Sequence, residues 1–422
     1  MRPTSRPRAV MAAVAGLGLV AAACGSDNDT DATGDGDEAA AELDVTDFDS
    51  VLAAAEGQTV DWYMFGGDDD INDYVNGYVA DELDALGITL NQVPVTDTVE
   101  AVDKVLGEVQ AGRTDDGTVD MIWINGENFA TGMQADLWFC GYPEELPNAE
   151  IVDFDNPTIA NDFGLAVEGC ESPWQQANSA LVYNSDALGD DDVASVDALF
   201  EWAEENPGRF TYPAAPDFTG SMAVRTFLYA TADGGAETFQ GEFDAEAYEP
   251  EAEALWERLN ALEPSLYQGG DTYPSAQTDV ERLFGEGAID AYLTYGPGSV
   301  ASSVEDGTFP ESTRTAVFED GNIGNHSFVA IPANSPDIAA AIVLADLLLS
   351  PEAQLALFEA TGGLPVFALD QVADDIRTAF EEGQDSPSLL AIDELTANPL
   401  PEPTAEYVTT IEEDWIANVL QQ

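Results

Sequence analysis

Four groups of polar and aromatic residues could do chemistry in this chain, and their chemistry is recognition. Asn125-Gly126-Glu127-Asn128 follows the apolar run Met121 to Ile124, and its amides and carboxylate can supply directed hydrogen bonds to a ligand. Phe65-Gly66-Gly67-Asp68 follows Val60 to Met64; Gly66 and Gly67 either let backbone N–H groups approach a ligand or simply make a tight turn. Asp217, Thr219, Gly220 and Ser221 open a helix whose free N–H groups could hold a carboxylate or phosphate, and the same residues also fit an ordinary N-cap. Trp174, after Ser172-Pro173, and Tyr295, before Gly296-Pro297, could stack on a ring or a cation, or could belong to the core.

Bond-making machinery is harder to find. His326, the sole histidine, sits in Gly324-Asn325-His326-Ser327 and reads as a structural histidine rather than a ligand or base. There is no Gly-x-Ser-x-Gly elbow, no His-Glu-x-x-His and no Cys/His cluster, so the chain is not expected to be an enzyme, nor to need a cofactor or catalytic metal. The rival is a surface-anchored hydrolase working through paired carboxylates, because 82 acids hide any such pair. An Asp-rich stretch from Asp29 has Gly34 at the sixth position of a calcium loop, but Ala40 stands at the twelfth, where a bidentate Glu is needed.

Location follows from Cys24. Arg2, Arg6 and Arg8 form a basic n-region, Val10 to Ala23 an apolar h-region, and Ala21-Ala22-Ala23-Cys24 looks like a lipobox, with the mature chain beginning at a diacylated Cys24. The apolar run is shorter than the roughly 20 residues that span a bilayer. Gly25 to about Asp44 is acidic and free of aromatics, which suits a flexible tether. The remaining cysteines, Cys140 and Cys170, form an even pair for an oxidising compartment and are expected to be a disulfide, with two buried thiols the alternative.

Composition bounds the body. Hydrophobic residues at 45 %, with seven Trp, thirteen Tyr and nineteen Phe, are enough for real cores despite a net charge of −71. Removing the three leader arginines leaves Lys104, Arg113, Arg209, Arg225, Arg258, Arg282, Arg314 and Arg377 against those acids, which excludes nucleic acid as a partner. Such a surface suits a saline habitat, where salt screens its self-repulsion.

These groups need elements to hold them. Val60 to Met64 and Ile88 to Val95 read as strands, with Ile71, Tyr74, Val75, Tyr78, Val79, Leu83 and Leu86 at helical spacing between them. Asp97 and Glu100 can cap a helix carrying Val99, Val102, Leu106 and Val109, and Met121 to Ile124 is the next strand. That alternation implies parallel crossovers, with ligands at the carboxyl ends of the strands. A second series follows: a helix from Ser195 to Glu205, a strand from Phe210 to Tyr212, the Thr219 helix through Phe227, helices Glu251 to Leu262 and Thr278 to Phe284, and a strand from Ile289 to Leu293. After Phe328 to Ile331, Ser335-Pro336 and Ser350-Pro351 each look like a Ser cap with Pro at the first helical position. Two series of α/β units suggest two lobes.

Several segments resemble one family. Leu181 to Asp186 (LVYNSD), Phe284 to Ile289 (FGEGAI) and Ala340 to Gln354, ending LLLSPEAQ, are similar to segments of the extracellular solute-binding proteins of ABC importers. Ile88 to Val95 (ITLNQVPV), Met121 to Phe129 (MIWINGENF), Ile159 to Phe163 (IANDF) and Glu171 to Trp174 (ESPW) resemble the YnjB-type branch, related to thiamine- and polyamine-binding proteins. The resemblance runs from about Thr59 to Gln354. It implies a type II periplasmic-binding-protein fold: two α/β lobes joined by hinge strands, with a ligand cleft between them.

The expected organisation is a signal peptide at 1–23, a tether at 24–57, a first lobe from 58–180 and 296–335, and a second from 181–295 and 336–422. The expected function is a lipid-anchored, extracytoplasmic receptor that captures a small polar solute, thiamine-, polyamine- or sugar-like, by hinge closure. Its partners would be an ABC permease and its ATPase, with the membrane reached through the N-terminal lipid and the receptor acting as a monomer. A ligand-sensing module is the alternative within the same fold.

Overall fold

Val60, Trp62 and Met64 alternate with polar residues along Thr59–Phe65, and all three are fully buried. This strand begins the architecture in a computed structural model that describes residues 43–421 apart from 385 and 398. Cys24, the leader and most of the tether fall outside the described residues.

The strands in order are β1 Thr59–Phe65, β2 Thr89–Val95, β3 Met121–Ile124, β4 Asn161–Asp162, β5 Leu165–Ala166, β6 Glu171–Asn184, β7 Ala291–Tyr295, β8 Thr313–Ala316, β9 Asn322–Ala330 and β10 Pro399–Leu400. β2, β1 and β3 lie side by side in parallel, as the alternating pattern requires. β9 then runs antiparallel to β3 and to β6, which pairs with β7 and β8; β10 joins β9 in parallel. β4 and β5 form a separate hairpin. The expected strand at Phe210 to Tyr212 is reduced to one bridge, Phe210 with Ala291.

The helical face at residues 71–83 is buried, and the helix passes through a π turn at Val75–Val79; Leu86, expected on that face, lies past its end and is exposed. Ser195 caps Val196–Glu205 and Ser350 caps Pro351–Thr361, as their patterns indicate. Ser335 does not cap a helix. Its hydroxyl donates to Asp120 Oδ1 at 2.6 Å, and the apolar helix starts at Ile338 after Asp337.

Buried side chains separate into two main bodies. One core contains Val60, Trp62, Met121 and Ile331; the other contains Phe210, Tyr212, Phe227 and Leu293. The division of the chain between them differs from the expected one. Helices Ile338–Leu349 and Pro351–Thr361 pack their apolar faces on the first core, so most of 336–422 belongs there, and only the end, with Tyr407, Ile411 and Trp415, joins the second. Val300 and Phe309, expected in the first lobe, pack with Val182 and Tyr292 beside the second core. Apolar periodicity locates a helix but does not say which of two cores it covers.

β6 and β9 connect the bodies. Their rungs Gln176 with His326 and Ala177 with Asn325 lie next to one another, so successive side chains face opposite sides of the ladder. His326 is 1 % exposed, its Nδ1 lies 3.1 Å from the carbonyl of Thr158, and burial lowers its pKa to about 4. A carbonyl only accepts, so Nδ1 carries the proton and the ring is neutral. In the segment between β3 and β6, Cys140 and Cys170 are joined by a disulfide, and Gly141 N donates to Gly169 O at 2.7 Å beside it.

Two outcomes follow. Peptide mapping of unreduced protein should recover Cys140 linked to Cys170, and replacing both with Ala should lower unfolding free energy by about 3 kcal/mol; two free thiols would overturn the bridge. Because the folded pKa of His326 lies below its unfolded value, its contribution to stability is complete above the unfolded value and is lost as pH falls through about 4. The imidazole ¹⁵N signals of this sole histidine should therefore show no protonation between pH 7 and 5.

Candidate functional site

Phe65 ends β1, Asn125 to Asn128 follow β3, and these residues stand at one cleft. A cleft of about 750 Å³ lies between the two cores, walled by Phe65, Trp123, Phe163, Phe218 and Tyr295, with Asn125, Gly126, Glu127 and Asn128 on the first-lobe side. Its floor is the front of the crossing ladder, Ala177, Asn325 and Ser327. From the second lobe, helix Ala405–Trp415 contributes Val408, Thr409 and Glu412.

The Asn125 turn is built around a buried carboxylate. Asp162 Oδ2 accepts from Gly126 N at 2.5 Å, and Asn125 Nδ2 reaches Asp162 Oδ1 at 3.4 Å and the His326 carbonyl at 2.6 Å. Gly126 has φ +60°, where a side chain would be strained, and the next residue, Glu127, begins helix Glu127–Gln134. Burial pushes Asp162 up to about 7 against the lowering effect of those two donors, with Glu402 adding repulsion. Phe163 and Gly164, both at positive φ, turn the β4–β5 hairpin and bring the Phe163 ring over Gly126.

On the second lobe, Arg225 is buried and bidentate to Glu402, Nε to Oε2 at 2.9 Å and Nη2 to Oε1 at 3.1 Å. The Tyr295 hydroxyl also donates to Glu402, and Arg225 Nη1 reaches Ser221 Oγ, which donates to Glu412 Oε1 at 2.6 Å. Burial raises Glu412 above the usual carboxylate range, and Glu127 across the cleft pushes the same way, while Ser221 and Arg225 oppose. Two acids from different lobes thus face one another. No Lys or Arg is among the lining residues.

Of the other expected site residues, Tyr295 lines the cleft with Phe218 stacked on it at 5.0 Å. Trp174 does not: it is 0 % exposed and packs edge-on between Trp62 at 5.4 Å and Trp123 at 5.0 Å, because β6 turns that face into the first core. It backs Trp123 instead of meeting a ligand. The Thr219 and Gly220 N–H groups are not free for an anion, since Asp217 Oδ1 accepts from both at 3.0 Å. Gly220 serves packing, for a Cβ there would lie 2.3 Å from the Ala214 carbonyl oxygen. Ser221 acts one step back, through Glu412. Gly66 and Gly67 make the turn, with a Cβ at Gly66 falling 2.5 Å from Pro94 Cβ, and Asp68 caps the following helix by accepting from Ile71 N at 3.0 Å; none of the three lines the cleft.

Sequence reasoning missed Glu412, Phe218, Phe163 and Trp123. Tyr407, Ile411 and Trp415 at four-residue spacing mark an amphipathic helix, and that stripe could have drawn attention to Val408 and Glu412 beside it.

Residues 78–379 match the family described as bacterial extracellular solute-binding protein. The chain is 34 % identical to the protein YnjB of Escherichia coli (strain K12) over 375 residues, covering 88 % of this chain and 93 % of that one. Among solved structures, the spermidine/putrescine ABC transporter substrate-binding protein PotD from Streptococcus pneumoniae superposes with a TM-score of 0.61 at 13 % identity, covering 86 % of this chain and 99 % of that one. The Bordetella ferric binding protein gives 0.57 at 17 %, covering 85 % and 99 %. Those likenesses bear out the type II periplasmic-binding-protein fold, with a cleft between two α/β lobes. Proteins of this kind bind small solutes outside the cytoplasm and hand them to a permease driven by an ATPase. By family match and by identity over most of its length, this chain belongs to the bacterial extracellular solute-binding proteins of ABC transporters.

Proposed function

We propose that the solute is a small organic cation, held between the lobes by Glu127 and Glu412 within the aromatic walls of the cleft. One observation carries this reading: carboxylates from opposite lobes face one cavity with no basic side chain on its lining. A cation there relieves their mutual repulsion and gains the faces of Trp123, Phe218 and Tyr295. Arg225 does not offset the acids, because Glu402 already neutralises it behind the wall. Aromatic walls also suit a heteroaromatic cation such as thiamine or a flexible one such as a polyamine; a neutral sugar would use the same walls but leave the two acids unneutralised.

Capture proceeds by hinge closure. A solute that touches only the first lobe gains half of the contacts, so the state in which both acids reach it is the one that binding populates. The receptor is anchored through diacylated Cys24, acts as a monomer and delivers its solute to the permease without making or breaking a bond.

Mass spectrometry of solute released from gently purified protein should identify a cation. Calorimetry with that solute should show Glu127→Gln and Glu412→Gln each weakening binding by roughly tenfold or more, the cost of a charged hydrogen bond. A neutral solute, or unchanged affinity in both folded variants, would overturn the reading. Replacing Cys24 with Ser should move the protein from the membrane to the soluble fraction; retention in the membrane would remove the lipid anchor.

A further inference from the structure

The crossing ladder has a second face. Ala177, Asn325 and Ser327 floor the cleft, so their neighbours Gln176 and His326 point the other way, and there they line a separate cavity of about 440 Å³. Ile159, Val366 and Phe367 form its apolar wall, and Thr396 and, at the start of β10, Pro399 close it. Glu150 and Asp153 stand exposed at its mouth. Again no Lys or Arg is among the lining residues.

The two buried polar side chains on its floor present acceptors. Gln176 is 8 % exposed and its Nε2 donates to Asn178 Oδ1 at 3.1 Å, which leaves Oε1 without a partner among the described residues. His326 uses its protonated Nδ1 on the Thr158 carbonyl, which leaves Nε2 as a bare acceptor, also without a partner among them. Both acceptors belong to side chains that line the cavity, which is large enough for a small molecule. A ligand here must donate hydrogen bonds at the floor and tolerate two carboxylates at the mouth. Anions fail on charge and quaternary ammonium ions lack the donor.

We propose that this cavity behind the hinge is a second binding site, for a small organic cation bearing N–H donors, of guanidinium or primary ammonium type. Gln176 Oε1 and His326 Nε2 receive its N–H groups, while Glu150 and Asp153 balance its charge. The site is separate from the cleft: its side chains use the opposite face of the same rungs, and none of them is a residue assigned to solute capture.

The sole histidine makes the test direct. Full-length protein labelled with ¹⁵N-histidine is titrated at constant ionic strength with methylguanidinium, and in parallel with tetramethylammonium, which has the charge but no N–H. The Nε2 signal should move saturably with methylguanidinium, with half-saturation at about 1 mM or below, and stay still with tetramethylammonium. The response should persist in Glu127→Gln/Glu412→Gln protein and weaken several-fold in Glu150→Gln/Asp153→Asn protein. No saturable movement, an equal response to both ions, or a response lost in the cleft variant and kept in the mouth variant would overturn the proposal.

Discussion

The ladder between β6 and β9 is the constraint on which the rest depends. Both strands carry residues of each core along their length, and pleating allots adjacent rungs to opposite sides. Whatever is placed on one side of a rung fixes what its neighbour can do on the other. Ala177 is small where the cleft needs depth, and Gln176, one residue away, is free to take part in the packing of the rear. Moving either strand by one residue would exchange the two faces, which is why bulky Trp174 and its bulge lie just before the rungs, locking the register with two neighbouring indoles.

Charge is managed by a similar economy. Basic residues are few among the described residues, and the one of them that is buried, Arg225, is committed to Glu402 with hydrogen bonds in a bidentate pair. Removing either partner would leave a desolvated charge, so the pair ties helix Phe218–Thr231 to the segment that enters helix Ala405–Trp415. Its other result is negative: the guanidinium ends behind Tyr295 and Ser221 and leaves the field in the cleft to the acids. Asp162 does the corresponding work on the first lobe, where a buried carboxylate holds a glycine turn in the one backbone shape that sends Glu127 inward.

What could be read from the sequence divides along physical lines. The parallel units β1 to β3 were legible because short apolar runs of strand length alternate with segments at helical spacing, and the Asn125 to Asn128 turn because polar residues with a glycine follow an apolar strand. Tyr295 was found by its position before a turn. Trp174 was misplaced because an aromatic after Ser-Pro gives no sign of which face of a bulged strand it will take. Thr219 and Gly220 misled for a local reason, since the residue that caps their N–H groups, Asp217, lies in the same motif. Glu412 was hidden among a great many acids, and the division of 336–422 between lobes is a matter of tertiary packing that periodicity does not encode.

Phe65 at 44 % and Phe218 at 60 % are large apolar side chains left open to water, one from each lobe, and both stand at the cleft. An apolar surface of this kind hydrates with a large heat capacity, which is lost when the surface is covered. A solute that covers the two rings therefore binds with a negative heat-capacity change, and its balance of enthalpy and entropy shifts steadily with temperature even where the free energy barely moves. With a negative heat-capacity change, affinity peaks at the temperature where the binding enthalpy crosses zero.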